Sequence, residues 1–345
     1  MRLKVSKFTV LAFMLALVLT QIFNGFENNI SFAEESNNYS GIVQNKIIVK
    51  YKDEMNALNE NSRGTRFAAN IKSKTNLKIQ EIELLDGVDI FEVIEELKKD
   101  PNIEYAEPVY IRKPLEIVKS NGKREDLTVI QSVYNPNDPG YVENQQWGIY
   151  ATRMEAAWQK VSMEEREDII VAIIDTGVDL DHPDLKDNII DGYDFVDHDL
   201  LPDDENGHGT HVAGIAAAVS DNNEGIAGVA GGVKIMPLRV IGPDGGTSQD
   251  IGDAIRWAAD NGADVINMSL GGPDFSQYEY DAIQYALNKG VVIVAASGNE
   301  SNHWIEGEIG DVDFGIDTER YFSPVSYPAA YDGVIGIGAV DWYPE

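Results

Sequence analysis

Apolar positions organise the second half of this chain into buried runs separated by helical stripes. Ile169 to Ile174 is an unbroken, β-branched run that delivers Asp175 at its end, the pattern of a strand covered on both faces of a parallel sheet. Val233–Val240, Asp264–Met268 and Val291–Ala296 repeat it. Between them, Ile251, Ala254, Ile255, Ala258 and Ala259 mark the inner face of a helix capped by Ser248 and closed by Gly262, and Tyr280–Lys289 reads as a second helix ended by Gly290. Small residues around His208 lead into an Ala-rich helix. Strands and helices in alternation predict an α/β fold: a doubly wound parallel sheet with helices on both faces.

The first half follows another rhythm. Ile47–Tyr51 reads as a strand, and Lys78–Leu85 alternates weakly, as a half-buried strand does. Ile90, Val93, Ile94 and Leu97 share one helical face, with Asp89 as N-cap and Asp100-Pro101 as the stop, and Ile103–Val109 is a further strand. A β-α-β-β-α-β succession predicts a small ferredoxin-like α+β domain. Residues 113–133 lack periodicity and carry Lys119, Lys123 and Arg124, the marks of a solvated linker.

At the N-terminus, Arg2, Lys4 and Lys7 precede the apolar run Val10–Leu19, and Ser31-Phe32-Ala33 offers small residues to a signal peptidase. The run is shorter than the roughly 20 residues a bilayer needs, so residues 1–33 are expected to be a signal peptide and the mature chain secreted, with no stable membrane anchor. The 345 residues allow about two domains. A net charge of -31 repels nucleic acid and anionic membranes, and the absence of cysteine excludes disulfides, thiol catalysis and thiolate metal sites.

The chemistry concentrates between Asp175 and Ile215. Asp175-Thr176-Gly177 alone also fits an aspartic protease, and His208 with His211 alone also fits a metal site one helical turn long. A capping Asp and a structural His would be the plainest account. No second Asp-Thr-Gly occurs, and no further His or Cys group completes a zinc site.

Taken together, Asp175-Thr176-Gly177-Val178-Asp179, His182-Pro183-Asp184-Leu185 and Asn206-Gly207-His208-Gly209-Thr210-His211 resemble the subtilisin-like serine proteases, the subtilases. Asn267-Met268-Ser269-Leu270-Gly271-Gly272, Ala295-Ala296-Ser297-Gly298-Asn299 and Tyr327-Pro328-Ala329 extend the resemblance, and Asp100 to Pro108 is similar to the end of a subtilase propeptide.

The resemblance implies an endopeptidase of broad specificity for protein or peptide substrates, in which Asp175 orients His208, His208 is the general base, and Asn299 donates to the oxyanion. His211 would be structural. Ser269, Leu270 and Gly271 would form one substrate edge and Gly245 and Gly246 the other. Asp138, Asp184 and Asn222, with the carbonyls of Val219, Glu224 and Ile226, would hold a structural calcium ion.

The implied organisation is signal peptide 1–33, propeptide 34–112 acting as intramolecular inhibitor, linker 113–133 with the maturation cut, and a partial catalytic domain from 134 to 345, with the protein expected to be a monomer. The insertion 301–323 has no counterpart in the pattern. The family's nucleophile sits in a Gly-Thr-Ser-Met-Ala-like motif after the strand ending near Val340, so it is expected beyond residue 345. Gly246-Thr247-Ser248 has three of those letters in the wrong place, and Ser248 is not expected to be the nucleophile. A non-catalytic inhibitor or binding protein built from a truncated subtilase is the alternative.

Overall fold

A computed structural model describes residues 41–53, 66–74, 77–115, 135–143, 145–299 and 325–339. The signal peptide, most of the linker and the insertion 301–323 lie outside these residues. Within them no helix is long and apolar enough to cross a membrane.

Strands β1 (Ile42–Tyr51), β2 (Ala68–Lys74), β3 (Ile79–Leu84) and β4 (Ile103–Pro114) form an antiparallel sheet in the order β2-β3-β1-β4. That order, with helix α1 (Ile90–Leu97) between β3 and β4, is the ferredoxin-like arrangement; the other helix of the expected succession falls outside the described residues. Asp89 caps α1 as its position predicts, accepting the N–H groups of Phe91 at 2.8 Å and Glu92 at 3.1 Å. Ile90, Val93, Ile94 and Leu97 pack on Ile47, Val49 and Ile82. The other sheet face presents Ile48, Ile79 and Val109 to Tyr278, which belongs to the second unit. Strand β2 was not legible, because its residues are half exposed and carry no apolar alternation.

The second unit is a six-stranded parallel sheet, ordered β13-β12-β10-β5-β7-β6, from β5 (Ile170–Asp175), β6 (Tyr193–Asp194), β7 (Lys234–Arg239), β10 (Val265–Met268), β12 (Val292–Ala296) and β13 (Ile335–Ile337). Successive residues of β5 point to opposite faces. Ala172 and Ile174 pack with helices α3 (Ser248–Asp260) and α4 (Gln277–Asn288), whereas Val171 and Ile173 pack with α2 (His208–Ala217), Ile149, Met154 and Trp158. Thr247, not Ser248, is the N-cap of α3, its hydroxyl accepting the Asp250 N–H at 3.0 Å. Helix α4 starts three residues before the expected Tyr280, at a Ser276 cap.

Three short strands join the units: β8 (Ile241–Gly242) and β9 (Gly245–Thr247) on one side, and β11 (Leu270–Gly271) on the other. Strand β4 reaches between them through Lys113 and Pro114, two residues into the stretch read as linker.

Candidate active site

In a parallel sheet the carboxyl ends of the strands share one edge, where α/β folds place their sites. Asp175 ends β5, Ser269 follows β10, and Ser297-Gly298-Asn299 follows β12. Asp175 is fully buried. Its Oδ1 meets His208 Nδ1 at 2.6 Å and accepts the Thr176 N–H at 2.7 Å.

His208 opens α2, and the residue before it, Gly207, has a φ of 95° and no side chain with which to cap the helix. Asp204 supplies the cap. Its Oδ1 accepts the N–H groups of Asn206 and Gly207 at 2.9 Å, and its Oδ2 accepts the Thr210 N–H at 2.9 Å and hydroxyl at 2.6 Å. Burial pushes the Asp204 carboxyl up, but the Thr210 hydroxyl and the backbone donors outweigh it and hold the carboxyl below its usual range.

Thr176 ties this cap to the strand end: its hydroxyl donates to Asp204 and accepts the Gly209 N–H, both at 2.9 Å. Gly209 serves close approach rather than a turn, since a Cβ there would lie 2.0 Å from the Gly177 carbonyl. Thr176, Asp204 and Thr210 were not singled out from the sequence. The only available signal was an acid and two hydroxyls beside the Asp175 and His208 motifs.

The second face of His208 is occupied by the chain itself: Nε2 lies 2.7 Å from the Leu115 carbonyl oxygen. A carbonyl only accepts, and so does an ionised carboxylate. Both ring nitrogens therefore donate only in the imidazolium form. Burial pulls the imidazole down, but the Asp175 hydrogen bond and charge and the Leu115 carbonyl outweigh it, raising the pKa above its ordinary 6.5.

Leu115 is delivered by β4, paired on both edges. Ile111 and Arg112 stand opposite Thr247 and Gly246, while Lys113 and Pro114 stand opposite Gly271 and Leu270. The Leu115 N–H then donates to the Ser269 carbonyl at 3.1 Å. Both expected substrate edges thus meet one extended segment. Gly245 has a φ of 101°, and a Cβ on it would lie 2.8 Å from the Arg112 carbonyl, so glycine is required twice over.

Ser248 is not brought to His208; its buried hydroxyl accepts the Tyr110 N–H at 3.0 Å. His211 lies exposed on α2. Asn299, half-buried, follows Gly298, whose φ is 115°.

The three residues expected to hold calcium lie in one cluster, Asp184 against the Asn222 side chain and Asp138 against the backbone of the same loop. Asp138 accepts the N–H groups of Asp221 at 3.0 Å and Asn222 at 3.3 Å. Asp184 accepts the Ile226 N–H at 3.0 Å and the Asn222 side-chain amide at 2.8 Å. A Cβ on Gly225 would fall 2.0 Å from Asp184 Oδ2, so the loop folds closely over that carboxylate. Burial, together with the nearby Asp138 charge, raises the Asp184 pKa despite the loop donors. Two converging carboxylates and an amide suit a hard, oxygen-seeking cation. Among the described residues no group of three or more His, Cys, Asp or Glu forms a metal cluster.

Comparison with known proteins gives the geometry its context. A family model described as the subtilase family matches residues 166–344, and one for the fervidolysin N-terminal prodomain matches residues 28–108. A thermophilic serine proteinase of Bacillus sp. (strain AK1) is 37% identical over 323 residues, covering 91% of this chain and 68% of that one. Thermitase of Thermoactinomyces vulgaris is 40% identical over 209 residues, covering 60% of this chain and 66% of that one. The crystal structure of fervidolysin from Fervidobacterium pennivorans, a keratinolytic enzyme related to subtilisin, superposes with a TM-score of 0.68 at 29% identity, covering 89% of this chain and 44% of that one. With a prodomain match, a subtilase match over more than half its length, and a shared fold, this chain belongs to the subtilase family of serine proteases.

Proposed function

We propose that the chain is the inhibited precursor of a secreted serine endopeptidase, with its own residues 111–115 lying in the cleft as a substrate would. The observation that carries this reading is the Leu115 carbonyl, 2.7 Å from His208 Nε2, on a strand paired along both edges. Backbone pairing recruits an extended peptide whatever its side chains, which supports broad specificity wherever the cleft contacts backbone alone.

In this reading Asp175 holds the imidazole with Nδ1 as donor. His208 takes the proton of the family's serine hydroxyl at Nε2 and later returns it to the leaving amine. Asn299 donates to the oxyanion. The peptide bond presented is Leu115–Glu116, which we assign as the maturation site. Asp138, Asp184 and Asn222 would hold calcium, with the carbonyls of Val219, Glu224 and Ile226; that ion would tie the segment at Asp138 to the loop after α2. Export is supported by the charged, apolar and small-residue succession of residues 1–33, and two relatives are named as extracellular proteases.

The test is intact-mass analysis of the full-length gene product and of its His208→Ala variant. A mature chain beginning at Glu116 in the first, absent from the second, is the expected result. A cut at another bond, or one indifferent to His208, would overturn the assignment.

A further inference from the structure

Counting back from the carbonyl at His208, Leu115 is the first residue of the bound segment and Arg112 the fourth. Arg112 is fully buried although it carries a charge. Its Nε donates to Glu279 Oε1 at 3.1 Å and its Nη2 to Glu279 Oε2 at 2.9 Å, a two-pronged pairing, and Nη2 also donates to the Asp274 carbonyl at 2.7 Å. Glu279, equally buried, projects from the first turn of α4 and accepts the Tyr331 hydroxyl at 2.8 Å. Gly272 forms a wall: a Cβ there would lie 3.1 Å from Arg112 Nη1. Nη1 has no hydrogen-bond partner among the described residues.

Among the described residues, every hydrogen-bond acceptor of this guanidinium belongs to the catalytic unit; from the prodomain strand it meets only the Tyr110 ring, 5.8 Å from Cζ. Once residues up to Leu115 depart, Glu279 keeps the Tyr331 hydroxyl but loses both guanidinium hydrogen bonds and its counter-charge. A carboxylate so placed favours the residue that restores those two hydrogen bonds and the charge balance. Arginine does both with one planar group. Lysine offers a point charge that cannot reproduce the fork, and an apolar side chain leaves the carboxylate uncompensated.

We propose that Glu279 makes the mature protease select arginine at the fourth residue before the cleaved bond, so that one side chain is read within a cleft that otherwise pairs with backbone. This rests on the reading of residues 111–115 as a substrate mimic, and it makes Arg112 the precursor's own copy of the preferred residue.

The test uses the matured full-length protein and three fluorogenic peptides, acetyl-Xaa-Lys-Pro-Leu-aminocoumarin, in which Xaa is arginine, lysine or norleucine. Arginine is expected to exceed norleucine on the order of a hundredfold in kcat/KM, the loss typical of unpairing a buried charge, with lysine between. In Glu279→Gln the ratio is expected to shrink, and in Glu279→Leu to reverse. Cleavage of all three at equal rates by the unaltered protein overturns the proposal while leaving proteolysis intact, and this needs no variant to fold. Cleavage of none would count against proteolysis instead. The pocket would then be decided by calorimetry with the peptide acids acetyl-Arg-Lys-Pro-Leu and its norleucine analogue, equal affinities overturning it.

Discussion

The two sheets of this molecule reach their stability by different routes. The parallel sheet is closed on both faces by its own helices, and its central strands β5, β10 and β12 are correspondingly apolar along most of their length. The antiparallel sheet closes one face with α1 and leaves the other to Tyr278 and helices α3 and α4. Strand β4 embodies the contrast. Its first residues, Ile103 and Ala106, belong to the prodomain core, whereas its last four are held by β9, β11 and the Glu279 pocket. In the proposed precursor one unit carries the chemistry and the other occupies it, so perturbations should separate the two.

The largest separation should come from Asp175→Asn. Without the carboxylate the imidazole loses the partner that fixes its tautomer, and turnover of the matured protein should fall about 10⁴-fold. Prodomain docking, made through β4 and its edges, should survive. Peptide hydrolysis and co-purification of the prodomain measure the two, and turnover within tenfold of the parent would remove Asp175 from its role.

Next in size is ion removal, which addresses the parallel-sheet unit alone. If calcium joins Asp138, Asp184 and Asn222 only in the folded state, it adds about 2.7 kcal/mol at one hundredfold over its Kd. Calorimetric melting with and without a strong chelator should show the loss. An Asp184→Asn variant should melt with a smaller response to the chelator, and equal responses would argue against this loop.

The interface is addressed by Glu107. Its carboxylate, on the prodomain strand, accepts the Ser276 hydroxyl at 2.9 Å and the N–H groups of Gln277 at 2.8 Å and Tyr278 at 3.0 Å, acting as a second cap on α4. Burial outweighs these donors and raises its pKa, so the contact is a compromise between desolvation and capping. Glu107→Ala should weaken docking by about 1–3 kcal/mol, seen as faster prodomain release, with the melting of the matured protein unaltered.

The smallest effect is one of pH. Because the folded pKa of His208 is raised above 6.5, its protonated form contributes stability that is fully present below that ordinary value and is lost as pH rises through the raised one. Above it Nε2 no longer has a proton for the Leu115 carbonyl, and the inhibited state should loosen. The dependence of precursor melting on pH over this window should flatten in His208→Gln. An unchanged slope would place the sensitivity elsewhere.

What the chain's order of residues determined by itself was whatever depends on local pattern. Continuous apolar runs specify buried parallel strands, the stripe at Ile251, Ala254, Ile255 and Ala258 specifies the inward face of α3, and Asp89 and Gly262 mark helix ends by short-range hydrogen bonding and backbone freedom. The acid at the end of β5 and the histidine at the start of α2 were legible because strand ends and helix starts are local. Tertiary structure decided the rest. Asp204 as the cap that seats His208 depends on a loop closing through Thr176. Ser248 is turned toward Tyr110 because Thr247 takes the cap.

The second half of β4 is the clearest instance. Residues 111 to 114 have no periodicity of their own, because the strands β9 and β11 that pair with them stand more than a hundred residues later in the chain. Arg112 was not singled out from the sequence for the same reason. Its partner Glu279 lies on another unit, and only folding removes both from water together.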